Sequence, residues 1–207
     1  MRHLFSADGR FFLFINTLTD LIILNLLFFL TCIPVITIGA SCMALYQSTL
    51  RLADNTESYI VRGYFAEWQK NLKKGTLIWI PSFVLLIFCV FNLSVLPSMP
   101  PTFYRTAAFC LQFLILFVLH GSLLYAFLLP ENYRQTVTVT YKNALFLTFK
   151  YLPYTFLCLC ISALPFMLAL ILPRSAGLIL SIYMVSGFSV TAYIQSIFFR
   201  ILIRLRL

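Results

Sequence analysis

Long apolar runs separated by short bands of charge make up almost the whole chain. A helix rises about 1.5 Å per residue, so roughly 20 apolar residues cross a hydrocarbon core of about 30 Å. The runs therefore predict an all-α, polytopic membrane helical bundle of about six transmembrane helices, forming a single integral membrane domain over residues 1–207. The predicted spans are 18–33, 38–53, 76–96, 106–129, 149–172 and 176–203.

The number of spans depends on the first two runs, which are short and meet at Pro34 and Gly39. The alternative is five spans, with 20–51 as one long broken helix and the N-terminus outside. With six spans, thirteen of the fifteen Lys and Arg residues lie on the cytoplasmic side, whereas five spans move two more of them outside. Positive charge favours the cytoplasm, so six spans with both termini cytoplasmic fit better.

Segment 59–74 carries an aromatic face and a basic face at helical spacing. The apolar face contains Val61, Tyr64, Phe65, Trp68 and Leu72, and the other face contains Arg62, Lys70, Lys73 and Lys74. This pattern predicts an amphipathic helix in the cytoplasmic headgroup plane. The segment serves either as a lipid anchor or as a partner-docking helix. In the second case, the candidate docking residues are Trp68, Lys70, Asn71, Lys73 and Lys74.

Composition supports a bilayer environment and excludes other classes. The chain is 61% hydrophobic and only 10% charged, and soluble domains are about 25% charged. The net charge of +9 fits cations that flank spans and face anionic headgroups, so no nucleic-acid partner is expected. The expected location is a cell membrane, with the cations on its cytoplasmic side.

Motifs for catalysis, cofactors or metals are absent from the sequence. There is no Gly-x-Ser-x-Gly, no phosphate-binding Gly-rich loop and no His-Glu-x-x-His. The six cysteines lie within apolar runs without a Cys-x-x-Cys, which indicates neither a disulfide nor a metal site. We therefore predict a non-enzymatic protein with no catalytic, cofactor-binding or metal-binding residues.

A few polar residues lie within the predicted spans. His120 falls near the middle of the fourth span, where an ionisable group is a candidate functional residue, although a neutral His also serves as interhelical packing. Together with Asn25, Gln112 and Gln195 it forms a candidate intramembrane polar site, and ordinary interhelical hydrogen bonding is the alternative. Asp20 is interpreted as a cap at the start of the first span.

Two motifs carry a family resemblance. P-V-I-T-I-G at 34–39 is followed by A-L-Y at 44–46, and Y-x4-Y-F-x2-W-x2-N occupies 59–71. Asn25-Leu26 and K-N-A-L at 142–145 extend the likeness. Together they resemble the YesL-like family of small bacterial integral membrane proteins of uncharacterised function. Members are often encoded beside carbohydrate ABC uptake systems. The resemblance therefore implies an accessory role in sugar uptake, with ABC permease subunits as partners, and it supplies no catalytic or ligand residues.

Two functions remain open from the sequence. The first is an accessory or regulatory component of a carbohydrate ABC uptake system that docks through segment 59–74. The second is a small-solute transporter with its own substrate path. The scarcity of intramembrane charge weighs against the second, because coupled transport usually needs such groups.

Overall fold

The described part of the chain contains eight α-helices, as seen in a computed structural model. The structure describes residues 10–54, 56, 59–98, 100, 103–129 and 136–204. The helices are α1 (Arg10–Cys32), α2 (Ile38–Ala53), α3 (Ile60–Val95), α4 (Phe103–Leu128), α5 (Val137–Lys150), α6 (Leu152–Ile171), α7 (Ala176–Ile182) and α8 (Phe188–Arg204). The all-α bundle is thus confirmed.

Five helical segments of the described chain are long and apolar enough to cross a membrane, the lower of the two predicted numbers. They are Ile15–Cys32, Ile60–Ser98, Phe103–Leu128, Leu152–Ile171 and Pro173–Ile201. Helix α2 has the bounds predicted for the second span, but its 16 residues are too few for a full crossing. It also exposes no large apolar side chain. Small buried residues such as Gly39, Ala40 and Ala44 allow it to lie at the centre of the bundle.

Helices α1 and α2 form an antiparallel hairpin, as the six-span arrangement predicts, although α2 is too short for a full crossing. Thr37 fixes the turn by donating its Oγ1 proton to the carbonyls of Thr31 and Pro34, both at 2.8 Å. Beside the turn, Trp79 Nε1 donates to the Val35 carbonyl at 3.0 Å. Helix α3 continues sixteen residues beyond Trp79, which is about 24 Å of helix. The hairpin therefore ends well short of the far end of α3.

Both ends of the described chain lie at one end of the bundle. Helix α2 ends at Ala53, where Arg200 of α8 donates to the Ala53 carbonyl and pairs with Asp54 at 2.7 Å. Because α1 runs antiparallel to α2, the beginning of α1 lies toward the same end. We call it the basic end, since Arg51, Arg62 and Lys70 belong to it. The terminal residues 1–9 and 205–207 lie outside the described residues.

Segment 59–74 is not a separate helix, which corrects one part of the prediction. Helix α3 runs without interruption from Ile60 to Val95. A segment lying in the membrane plane would need a sharp bend near Gly75 before the span begins. Gly75 remains within regular helix. The segment therefore extends α3 beyond its apolar part, and Pro81, within the apolar part, is the position at which α3 has a cause for a kink. Gly75, which separates the two sequence patterns, is instead a packing position.

An engineered cysteine at Val35 tests the depth of the hairpin. The turn exposes the apolar side chains of Ile33, Val35 and Ile36, which suits contact with hydrocarbon. With the six native cysteines replaced by alanine, we expect Val35→Cys to react slowly with an impermeant maleimide from either side of the membrane. The control Ser98→Cys, at the far end of α3, should react rapidly from one side. Equally rapid labelling of both from the same side would show that the hairpin crosses.

Candidate functional site

The basic end of α3 carries a buried face and an exposed face. Its buried positions are Tyr64, Glu67, Asn71 and Gly75, which recur at helical spacing and pack against the α1–α2 hairpin. The apolar face predicted from the sequence is displaced from this one, since Val61 is exposed and Phe65 and Trp68 are only half-buried. The buried face thus combines Tyr64, which belongs to the predicted apolar face, with the polar residues Glu67 and Asn71.

A charged cluster connects α2 to α3 at this end. Arg51 of α2 forms an ion pair with Glu67 of α3, whose side chain is 9% exposed. The Asn71 amide donates to the Glu67 carboxylate at 3.1 Å and to the Glu67 carbonyl at 2.8 Å. Asn71 is itself 4% exposed. This predicted docking residue is thus buried and positions Glu67, so it does not face a partner.

The remaining predicted docking residues divide into two groups. Lys70 and Lys73 are exposed, as is Arg62 two turns earlier, whereas Lys74 and Trp68 are half-buried. The indole nitrogen of Trp68 has no hydrogen-bond partner among the described residues, and its ring packs beside Phe65. We call Arg62, Lys70 and Lys73 the basic stripe, because they follow one exposed face of α3.

A cavity of about 940 Å³ occupies the middle of the bundle. Its walls come from α1, α2, α3, α4, α6 and α8, together with the turn between α7 and α8. Most of the lining is aliphatic or aromatic, and no Asp, Glu, Lys or Arg contributes to it. Of the four residues predicted as an intramembrane polar site, only His120 lines the cavity.

The polar side chains in the cavity wall mostly bond within the protein. Trp79 donates to Val35, and the Ser82 hydroxyl bonds the Ile78 carbonyl at 2.9 Å. Ser162 donates to the Cys158 carbonyl at 3.0 Å. His120 is the contrast, because its exposed side chain has no hydrogen-bond partner within the described residues. Its imidazole remains able to bond with a molecule inside the cavity.

Asn25 has a structural position at a wide turn of helix. Residues Tyr183–Gly187 form a π-helical turn, which frees backbone groups that a regular α-helix would pair. The Asn25 amide donates to the Met184 carbonyl at 2.6 Å, and the Ser189 N–H donates to Asn25 Oδ1 at 3.1 Å. Asn25 is fully buried, so it holds α1 against this turn and does not contact the cavity.

Gln195 also connects helices, whereas Gln112 does not. Tyr46 donates to Gln195 Oε1 at 2.6 Å, and the Gln195 amide donates to the Cys158 carbonyl and to Ser162. Gln112 is 7% exposed, and its amide nitrogen has no partner among the described residues. The structure thus does not bring the four predicted residues together into one site.

Asp20 corrects another expectation. Helix α1 begins at Arg10, so Asp20 lies ten residues inside the helix and is not a cap at its start.

Tyr46 and Tyr141 also connect helices, and the sequence alone does not reveal this role. Tyr141 of α5 donates to the Ile78 carbonyl of α3 at 2.6 Å, and burial raises the pKa of its hydroxyl, which keeps it a neutral donor.

The comparison with known families concerns the hairpin and the long helix. Residues 21–93 match the family described as Protein of unknown function, DUF624, which includes the YesL-like proteins. Over these residues the chain is similar to the DUF624 family. The resemblance stated from the sequence motifs is therefore confirmed. Comparisons with curated proteins and with solved structures return no match.

The DUF624 segment contains most of α1, all of α2 and nearly all of α3. It therefore includes the α1–α2 turn, the Arg51–Glu67 pair and the basic stripe. His120, Gln112 and Gln195 lie outside it. Among the described residues, no group of three or more His, Cys, Asp or Glu side chains is placed to hold a metal ion.

Proposed function

We propose that this protein is a non-enzymatic accessory component of a carbohydrate ABC uptake system in a bacterial membrane. In this proposal the basic end lies in the cytoplasm with both termini, and the partner is an ABC permease subunit. The basic stripe of exposed cations on α3 carries the proposal. Several cations on one surface steer an acidic partner surface and fix its register.

The packing beneath the basic stripe supports a docking role. Because Tyr64 is fully buried and bonds Thr31 of α1 at 2.7 Å, the helix is held firmly against the hairpin. Arg51 and Glu67 add an ion pair between α2 and α3. A charged face on a fixed helix loses less conformational entropy on binding than one on a mobile segment. The stripe is therefore suited to docking a protein surface.

Replacing two cations of the stripe tests the proposal. In Lys70→Gln/Lys73→Gln, we expect recovery of the permease subunit by crosslinking in native membranes to fall about fivefold, as loss of two exposed charge pairs implies. The control Arg105→Gln/Arg174→Gln also removes two positive charges, but these lie at the other end of the bundle, beyond the apolar part of α3. If Lys70→Gln/Lys73→Gln recovers every partner as well as the original protein does, the stripe contacts lipid and does not dock a partner.

The second candidate is a small-solute transporter, and the central cavity is the observation that favours it. A sugar in that cavity would need many polar partners for its hydroxyls, since unpaired buried polar groups are costly. The wall offers mainly apolar groups and no charged side chain. Flux of radiolabelled sugar into liposomes that contain only this protein, abolished by His120→Ala, would support transport over docking.

A further inference from the structure

The central cavity is too large to be a packing defect. At about 940 Å³ it lies near the upper end of the range of roughly 300–1,000 Å³ typical of ligand pockets. Natural interiors contain few voids larger than a water molecule. Phe113, Leu114 and Phe166 belong to the wall and are each at least half exposed, so packing does not seal the cavity there. A molecule from the apolar surroundings has a route into it.

The chemistry of the wall selects the occupant. With no charged side chain in the wall, an ionised headgroup would be desolvated without a counter-ion. Trp79, Ser82 and Ser162 already use their polar atoms within the protein. One imidazole, that of His120, remains to bond a ligand atom. A neutral imidazole donates through one nitrogen and accepts through the other, so it suits a hydroxyl group.

We propose that this cavity binds a neutral, largely apolar membrane molecule that carries a hydroxyl group, in the manner of a long-chain alcohol. The hydroxyl bonds His120, and the apolar body fills the space between α4, α6 and the turn at Tyr183. The observations that support this site do not involve docking at the basic stripe, and binding requires no covalent chemistry.

Photolabelling with diazirine-bearing hexadecanol tests this site in purified protein reconstituted into nanodiscs. We expect saturable labelling of α4 and α6, with competition by unlabelled hexadecanol. Glucose, added instead of the alcohol, should not compete. Labelling that never saturates and spreads evenly over the lipid-facing residues, or competition by glucose alone, would overturn the proposal.

Two matched substitutions separate the cavity from the outer surface. Leu116→Trp places a bulky indole ring in the wall one turn from His120. Leu170→Trp places the same ring outside the wall, at a position where the leucine side chain is 78% exposed. The first should abolish saturable labelling, and the second should not change it. If both variants label like the original protein, the cavity is not the site.

His120→Leu tests the polar contact. The loss of one hydrogen bond to the ligand should weaken hexadecanol binding about fivefold, measured as the concentration that gives half-maximal labelling. His120→Asn keeps a donor and an acceptor and should retain more of the affinity than His120→Leu. Equal affinity in the original protein and both variants would contradict the assigned role of His120. Should Leu116→Trp not yield folded protein, His120→Leu decides the question by itself.

Discussion

Gly39→Ala should leave little folded protein in the membrane. A Cβ atom at this position would lie 2.6 Å from the Trp79 Cβ, and closer still to the Gly75 carbonyl oxygen. The opposing groups are mainly backbone, which cannot rotate away as a side chain can. Overpacking usually costs about 1–3 kcal/mol, and a clash with backbone lies at or above the upper end. Gly75→Ala should behave alike, since its Cβ would lie 2.5 Å from the Ala40 nitrogen.

The chain offers a matched control for this experiment. Gly177 is in α7, and a Cβ atom there would meet nothing within 4 Å. Gly177→Ala should therefore keep the melting temperature of the purified protein in detergent or raise it slightly, because alanine favours helix. Fluorescence-detected size-exclusion chromatography measures the folded fraction of all three variants. A Gly39→Ala protein that melts like the original would mean that α2 and α3 do not pack at these glycines.

Asn25→Leu is expected to lower stability by about 1–3 kcal/mol. The substitution removes two interhelical hydrogen bonds, each worth about 0.6–1.7 kcal/mol in a membrane protein. It also leaves the Met184 carbonyl and the Ser189 N–H without these partners at a buried position. Unfolding of the reconstituted protein in a graded series of denaturing detergent measures the change.

Gln112→Leu is the control for Asn25→Leu. Both replace a buried amide in a helix with the same apolar side chain, but the Gln112 amide nitrogen has no partner in the described part of the chain. Removing an unpaired buried polar group should leave stability unchanged or increase it. An equal loss from both substitutions would indicate that shape, rather than the bonds to the π-helical turn, explains the effect of Asn25.

Much of the fold follows from the sequence because hydrophobic length is a local property. The bounds of α2 match the predicted 38–53, and α4 begins and ends within three residues of the predicted fourth span. The prediction failed where packing overrides the local pattern. The sequence predicts a separate helix at 59–74 before the span at 76–96, whereas one helix contains both. Gly75 is small enough to let α2 approach α3, and a single sequence does not show that Gly39 lies opposite.

The candidate sites were less predictable because they depend on contacts between distant segments. Asn25 and Met184 are 159 residues apart, and no local pattern pairs them. Polarity selects Asn25, Gln195 and His120 as candidates, but it does not distinguish the two that connect helices from the one that lines the cavity. The cavity itself is the space between several helices, and periodicity within one helix does not reveal it.

The length of α3 has a thermodynamic consequence for the two proposed binding events. The same uninterrupted helix presents Lys70 and Lys73 at one end and contributes Trp79, Ser82 and Leu86 to the cavity wall. A rigid-body tilt of α3 that improves contact at the lysines displaces that wall. If partner and cavity ligand favour different tilts, each lowers the affinity for the other by the same factor; if they favour one tilt, each raises it equally. Filling the cavity would then act as an allosteric signal to the partner on the opposite part of the helix.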